Sequence, residues 1–313
     1  MNESFSLRDV PFRNRVFVAS GTFGYGDEVT ELVDLDELGG ILTKSLSLKP
    51  RDGNPPPRIT ETASGMLNSI GLANIGVHKF IAEKIPKLER YSCALIANIA
   101  ASSVEEYCSV LELLDPLKRV DGFEINVSCP NVKEGGLSFG TDLAKVALIT
   151  KELRKRTQKP LVIKLTPNVT HISEFARAAE AEGADAVSVI NTLIGMAVNI
   201  NTRKPRISTT TGGLSGPAIK PVALAKVYET HKSVKIPIIG VGGISTWEDA
   251  VEFFLVGASA VQVGTANFIN PAIAVGIARG VAQYCEHNSI DDVGDLVGSL
   301  QADTKMSVIQ SWL

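Results

Sequence analysis

Leu161-Val162-Ile163-Lys164-Leu165 is followed by the amphipathic stretch Ile172–Glu182 and then by Ala186-Val187-Ser188-Val189-Ile190-Asn191. This succession decides the fold. The two outer runs are short, β-rich and almost continuously apolar, which marks strands covered on both faces. The stretch between them has the spacing of a helix with one apolar face. A strand, a helix and a second strand of this kind make a parallel pair joined by a crossover.

The alternation continues in both directions. Candidate strands are Val16–Ser20, Gly40–Ser45, Ala94–Ile99, Gly122–Val127, Leu161–Leu165, Ala186–Asn191, Ile238–Val241 and Ala260–Val263. Helical patterns between them include Val77–Leu88, Val104–Leu114, Leu143–Arg156, Ile172–Glu182, Pro217–His231 and Trp247–Val256. Eight such units over about 250 residues match the α/β class and, within it, the (β/α)8 TIM barrel. The pattern reads as a single domain over residues 1–313. A doubly wound open sheet is the runner-up, disfavoured by the eight units and by the lack of Gly-x-Gly-x-x-Gly after the first strand. Phe5–Arg15, with Pro11-Phe12-Arg13-Asn14-Arg15, predicts an N-terminal hairpin closing the barrel bottom. Two βα loops are long. Leu46–Asn74 contains Asn54-Pro55-Pro56-Pro57 and cannot be mostly helix, while Leu193–Gly216 carries Val198-Asn199-Ile200-Asn201, read as a small hairpin. Both loops follow strand C-termini, so they stand at the C-terminal face, the catalytic face of such barrels.

The bulk properties exclude other classes. With 313 residues, 44% hydrophobic and 21% charged, the chain has an ordinary globular composition. A net charge of −3 gives no reason to expect nucleic acid or an anionic membrane as partner. Met1-Asn2-Glu3-Ser4 opens no secretory signal, and no apolar run approaches the roughly 20 residues of a membrane span. Cys93, Cys108, Cys129 and Cys285 are scattered without a Cys-x-x-Cys, so no structural zinc or iron–sulfur cluster is expected in this chain. A reduced, cytoplasmic setting is expected.

Polar residues at barrel strand ends point at the active site. In order they are Ser20, Lys44-Ser45, Asn98, Asn126 with Cys129, Lys164, Asn191-Thr192, Gly242-Gly243 and Gly264-Thr265. The glycines close strands seven and eight, where barrels commonly hold phosphate, and glycine lets backbone N–H groups approach phosphate oxygens. Gly216 can join that cradle and Ser245-Thr246 can cap the next helix. The competing reading is that the glycines only make tight turns. Lys164 stands alone in an apolar strand, and a buried ammonium is costly without a partner. It faces an anionic or electron-rich ligand, forms a buried ion pair, or is a Schiff-base lysine. Lys44 poses the same question. Two such lysines fit one phosphorylated cofactor beside one anionic substrate.

The segment Asn126-Val127-Ser128-Cys129-Pro130-Asn131 displays a thiol between two carboxamides, ahead of Gly135-Gly136. Pro130 holds Cys129 extended, and neutral amides suit a planar ligand edged with carbonyls and N–H groups. A buried, inert cysteine is the bland alternative. None of His78, His171, His231 and His287 lies in a strong motif, so Cys129 is the better candidate base.

Taken together, Asn126–Asn131 with Lys133-Glu134-Gly135-Gly136, Lys164-Leu165-Thr166-Pro167-Asn168, Asn191-Thr192, Gly240–Gly243 and Gly264-Thr265 resemble class 1 dihydroorotate dehydrogenases over nearly the whole chain. The segment after the cysteine is closest to class 1B, the catalytic subunit of the NAD-linked enzyme. Fumarate-linked class 1A enzymes and the flavin domain of dihydropyrimidine dehydrogenases are the alternatives. The resemblance implies an FMN-binding barrel that oxidises (S)-dihydroorotate to orotate in pyrimidine synthesis. It implies that Cys129 removes the C5 proton while hydride passes from C6 to flavin N5. FMN would meet Ser20, Lys44, Ser45, Asn98, Asn126, Lys164, Ile190, Gly216, Gly242, Gly243, Gly264 and Thr265. Substrate would meet Lys44, Asn68, Ser69, Ile70, Gly71, Leu72, Asn126, Asn131, Asn191 and Thr192. A homodimer is implied, with an electron-transfer subunit carrying FAD and a [2Fe-2S] cluster to complete a heterotetramer.

Overall fold

The structure, a computed structural model, describes residues 1–128 and 139–301. Its elements follow the alternation in the sequence. The chain begins with β1 (Phe5–Leu7) and β2 (Val10–Phe12), then β3 (Val16–Val18) and β4 (Gly40–Leu42). The second loop holds β5 (Ile59–Thr62) and β6 (Gly65–Asn68) before α1 (Val77–Glu83) and α2 (Ile85–Leu88). Next come β7 (Ala94–Ile99), α3 (Val104–Leu114), β8 (Gly122–Asn126), α4 (Leu143–Arg154), β9 (Leu161–Leu165), α5 (Ile172–Ala181) and β10 (Ala186–Val189). The sixth loop adds β11 (Leu193–Gly195), β12 (Val198–Asn199), β13 (Lys204–Pro205) and β14 (Gly212–Ser215). The chain then runs through α6 (Lys220–His231), β15 (Ile238–Val241), α7 (Trp247–Leu255), β16 (Ala260–Val263) and α8 (Ile273–His287).

Eight of these strands close a parallel barrel in the order β10-β15-β16-β3-β4-β7-β8-β9. Closure leaves no free edge, and the helices cover the outside, so both faces of each strand can be apolar. The fold is the (β/α)8 barrel, and all eight sequence-predicted strands lie in it. Three of them stop short of their predicted C-terminal ends by two or three residues, at Val18, Leu42 and Val189. Ser20, Lys44, Ser45 and Asn191 therefore lie just past the ladder. Lys44 N–H, for example, donates to Gly24 O in the first loop, at 2.8 Å, and not to a neighbouring barrel strand.

The hairpin β1–β2 pairs Phe5 with Phe12 and Leu7 with Val10. Its side chains enter the lower barrel and form one apolar cluster with Phe17, Leu42, Ile96 and Val162. The Phe12 ring centroid lies 4.8 Å from that of Phe17 and 5.7 Å from that of Phe5. The hairpin expected from the sequence thus closes the N-terminal end, and it does so by aromatic packing. The helix predicted over Val77–Leu88 is divided at Lys84, because Pro86 lacks an N–H and opens a new helical turn at α2.

The two long loops meet. They form an antiparallel sheet in the order β11-β14-β6-β5, with Leu67 opposite Leu214 and Asn68 opposite Gly213. Strands β12 and β13 make the small hairpin expected around Val198. No helix among the described residues is long and apolar enough to cross a membrane.

The plug yields the first expected outcome. Phe12 is 1% exposed, so Phe12→Ala should cost about 3–5 kcal/mol. Denaturant unfolding followed by far-UV circular dichroism measures this, and a midpoint equal to wild type would rule out a structural role for the plug.

Candidate active site

Side chains alternate along a strand, so residues two apart share a face. Above the apolar plug the inward positions turn polar, and they converge on Glu124. Its carboxylate is 0% exposed. It accepts hydrogen bonds from Asn98 Nδ2 at 2.7 Å, Ser188 Oγ at 2.6 Å and Gln262 Nε2 at 2.7 Å. Lys164 Nζ completes the shell at 3.3 Å and also reaches Gln262 Oε1 at 3.4 Å. β8 and β16 face each other across the barrel order, so the Glu124–Gln262 contact spans the interior. The ion pair foreseen as one reading of Lys164 is present. An ammonium has three donors, and the third has no acceptor among the described residues. Glu124, Ser188 and Gln262 were not among the residues expected from the sequence. The signal was available: each interrupts an apolar strand, as Lys164 does.

The rim of this interior carries the remaining predicted residues. Asn98 is buried, and its Oδ1 has no hydrogen-bond partner among the described residues. Asn126 Oδ1 accepts from Ser128 N at 3.2 Å and Asn191 Nδ2 at 3.1 Å, while its carbonyl accepts from the Tyr107 hydroxyl at 2.6 Å. Asn191 Oδ1 in turn accepts from Thr192 N at 2.8 Å, and Asn168 Nδ2 donates to Thr192 O at 3.0 Å. The Lys44 ammonium is half-buried, with no hydrogen-bond or ion-pair partner among the described residues. Burial, and then the positive charge of Arg58, push its pKa below the ordinary lysine value, against the opposing pull of Glu28. Asn68 Nδ2 donates to Gly213 O at 3.3 Å, which ties the second loop to the sixth. Beyond it, Asn54 fixes the turn: its N–H donates to Ile70 O and its Nδ2 to Ser69 O. Gly71 and Leu72 both have positive φ there, and Ser69 Oγ is buried without a partner among the described residues. Ser20 and Ser45 are half-buried just beyond β3 and β4. Ile190 is buried, joined to Val189 by a cis peptide bond, and its N–H donates to Val241 O. Cys129 and Asn131 lie outside the described residues.

The glycines gather at the ends of β15 and β16. Gly216, Gly242 and Gly243 have φ of 95°, 132° and 78°. A Cβ on Gly243 would lie 3.0 Å from Gly216 O and 2.8 Å from Lys220 N, so only glycine fits. The N–H groups of Gly242, Gly243 and Gly264 find no acceptor among the described residues. A Cβ added at Gly264 would meet Ala19 Cβ at 3.7 Å, an ordinary van der Waals contact. Thr265 Oγ1 contacts Ser215 Oγ at 2.8 Å and brings the sixth loop alongside.

Asp249 braces this cradle, a role the sequence analysis missed. It accepts from Ser245 N, Ser245 Oγ and Thr246 N at 2.8, 3.0 and 3.0 Å, and from Lys220 Nζ at 2.6 Å. With Thr246 as N-cap it closes a capping box at the start of α7. The Thr246-x-x-Asp249 spacing was the legible sign. Burial raises its pKa, but Lys220, Ser245 and Thr246 together outweigh this and hold it below the usual aspartate value.

With the geometry in hand, comparison places the protein. The chain belongs to the dihydroorotate dehydrogenase family, whose model, described as "Dihydroorotate dehydrogenase", matches residues 4–284. Among curated proteins it is similar to the "Dihydroorotate dehydrogenase B (NAD(+)), catalytic subunit" of Thermoanaerobacter sp. (strain X514), 51% identical over 303 residues covering 97% of this chain and 100% of the relative. The protein of the same name from Pelobacter propionicus is 52% identical over 296 residues, 95% of this chain and 97% of the relative. A solved structure, that of DHODH from Eimeria tenella in complex with ferulenol, shares the fold with a TM-score of 0.77 at 23% identity, covering 95% of this chain and 88% of that one.

A depressed carboxylate contributes stability that is present above its unfolded pKa and lost as pH falls through its folded value. Acidification through and below the ordinary aspartate range should therefore loosen the β15–α7 connection. Asp249→Asn should remove that part of the pH dependence and cost about 1–3 kcal/mol at neutral pH. Thermal unfolding of both proteins between pH 3 and pH 7, as roughly the window set by the aspartate pKa, tests this; identical pH profiles would overturn it.

Proposed function

We propose that this chain is an FMN-dependent dihydroorotate dehydrogenase of the NAD-linked B type, oxidising (S)-dihydroorotate to orotate in pyrimidine synthesis. One observation carries the reading. Three sets of groups without partners among the described residues share one barrel end: the amides of Gly242, Gly243 and Gly264, the Asn98 Oδ1 with the spare donor of Lys164, and the ammonium of Lys44. These sets fit the parts of a flavin mononucleotide and an anionic pyrimidine.

The cradle of Gly216, Gly242, Gly243, Gly264 and Thr265 would hold the phosphate. Ser20, Ser45, Asn98, Asn126, Lys164 and Ile190 would hold the ring system. The bound FMN supplies the hydride acceptor. Lys44 would receive the substrate carboxylate, since an anion relieves the electrostatic strain that Arg58 and burial place on it. Asn68, Asn126, Asn131, Asn191 and Thr192 would pair with the pyrimidine carbonyls and N–H groups, where a missing partner is costly. Ser69 to Leu72 would close over the substrate from the second loop. Because that loop is hydrogen-bonded to the sixth, the two would act as one cover and keep water from the bound substrate. Cys129 would take the C5 proton.

The single domain of residues 1–313 lacks a dinucleotide fingerprint after a strand and a cysteine cluster for iron–sulfur wiring. The chain is accordingly proposed to form a homodimer that docks an electron-transfer subunit with FAD and [2Fe-2S], a heterotetramer of cytoplasmic location. The relatives' name, "catalytic subunit", supports a separate partner.

Two outcomes are expected. Cys129→Ala should keep FMN and bind orotate but reduce flavin about 10²–10⁴-fold more slowly, the usual worth of a general base. Stopped-flow absorbance with dihydroorotate measures this, and a near-normal rate would refute the assignment. The isolated chain should reduce artificial dyes but little NAD until the partner subunit is added. Efficient NADH formation by the chain alone would overturn the partner, and efficient turnover with fumarate would favour the class 1A alternative.

A further inference from the structure

Glu124 lies beneath the proposed ring site, not on it, yet it holds the cation assigned to the ring. The two charged atoms are 3.3 Å apart, with side-chain exposures of 8% for Lys164 and 0% for Glu124. Salt and water screen a pair so placed far less than a surface pair. Any negative charge arriving near Lys164 meets the pull of the ammonium and the push of the carboxylate below it. Gln262 fixes the balance, because its Oε1 accepts from Lys164 while its Nε2 donates to Glu124. Ser188 Oγ, at 2.6 Å from Oε2, disperses part of the carboxylate charge.

We propose that Glu124 is a positioning residue that divides the charge of Lys164 between itself and the flavin, and so sets the flavin's preference between its oxidised and reduced states. The inference rests on the FMN reading above. It adds a residue acting through Lys164. Two-electron reduction leaves the ring carrying an additional negative charge, and reduction is favoured to the extent that Lys164 is free to face it. Neutralising Glu124 leaves the field of the ammonium directed at the ring alone. Removing Ser188 concentrates charge on Glu124 and has the opposite effect. A scaffold role alone predicts no such opposition of sign.

The test is a spectroelectrochemical titration of protein-bound FMN. Glu124→Gln should raise the ratio of reduced to oxidised flavin about tenfold at a given potential, a shift of about +30 mV for a two-electron couple. In a Lys164→Met background the same substitution should change the ratio less than about twofold, as expected when a shared partner carries the coupling. Ser188→Ala should lower the ratio, and it keeps the buried charge, so it decides the matter if Glu124→Gln does not fold. An unchanged or lowered potential in FMN-loaded Glu124→Gln overturns the proposal. So does an equal shift in the Lys164→Met background, or an unchanged or raised potential in Ser188→Ala. Failure of the wild-type protein to retain FMN overturns the functional reading and the proposal together. Wild-type protein that retains FMN and is bleached by dihydroorotate keeps that reading, whichever way the variants shift.

Discussion

A fully buried carboxylate sets the terms for this barrel. Leaving Glu124 without its partners would cost several kcal/mol, since removing one member of a buried pair typically costs about 3–5 kcal/mol. The chain therefore has to deliver Asn98, Lys164, Ser188 and Gln262 to one point from β7, β9, β10 and β16. That requirement fixes the register of five strands at once. A slip of one residue would turn the polar group outward and an apolar one inward. The apolar plug below and the ligand rim above are consequences of the same alternation. Phe17, Ile96 and Val162 face the interior one step below the network, and Lys44, Asn98 and Asn126 lie at or above it.

The cradle at β15 and β16 depends on a second buried acid. Asp249 gathers two backbone amides, a hydroxyl and an ammonium. The turn that follows Gly242 and Gly243 is thereby held by side-chain bonds, while the N–H groups of the two glycines find no acceptor among the described residues.

Much of this was legible in the sequence because the signals were periodic or unusual. Near-continuous apolar runs at Leu161–Leu165 and Ala186–Val189 separate parallel strands from helices, and they gave the barrel. The glycine pair after the seventh strand and the single glycine after the eighth marked the cradle, and lone polar residues at strand ends marked the rim. Glu124 and Gln262 each break an apolar strand but were missed, because they lie within the strand, where no turn or glycine marks a polar side chain as facing a ligand. Asp249 was missed because charged residues on helices usually face solvent. The pairing of β6 with β14 was not legible at all. It joins segments far apart in sequence by backbone hydrogen bonds, and such bonds leave little trace in residue type.

The aromatic stopper closes the N-terminal end, so among the described residues the barrel interior opens only toward its C-terminal face. The network around Glu124 fills the barrel above that stopper. Any guest of the C-terminal face would then rest on a polar floor and not on the plug, and the depth it reaches would be set by five strands acting together.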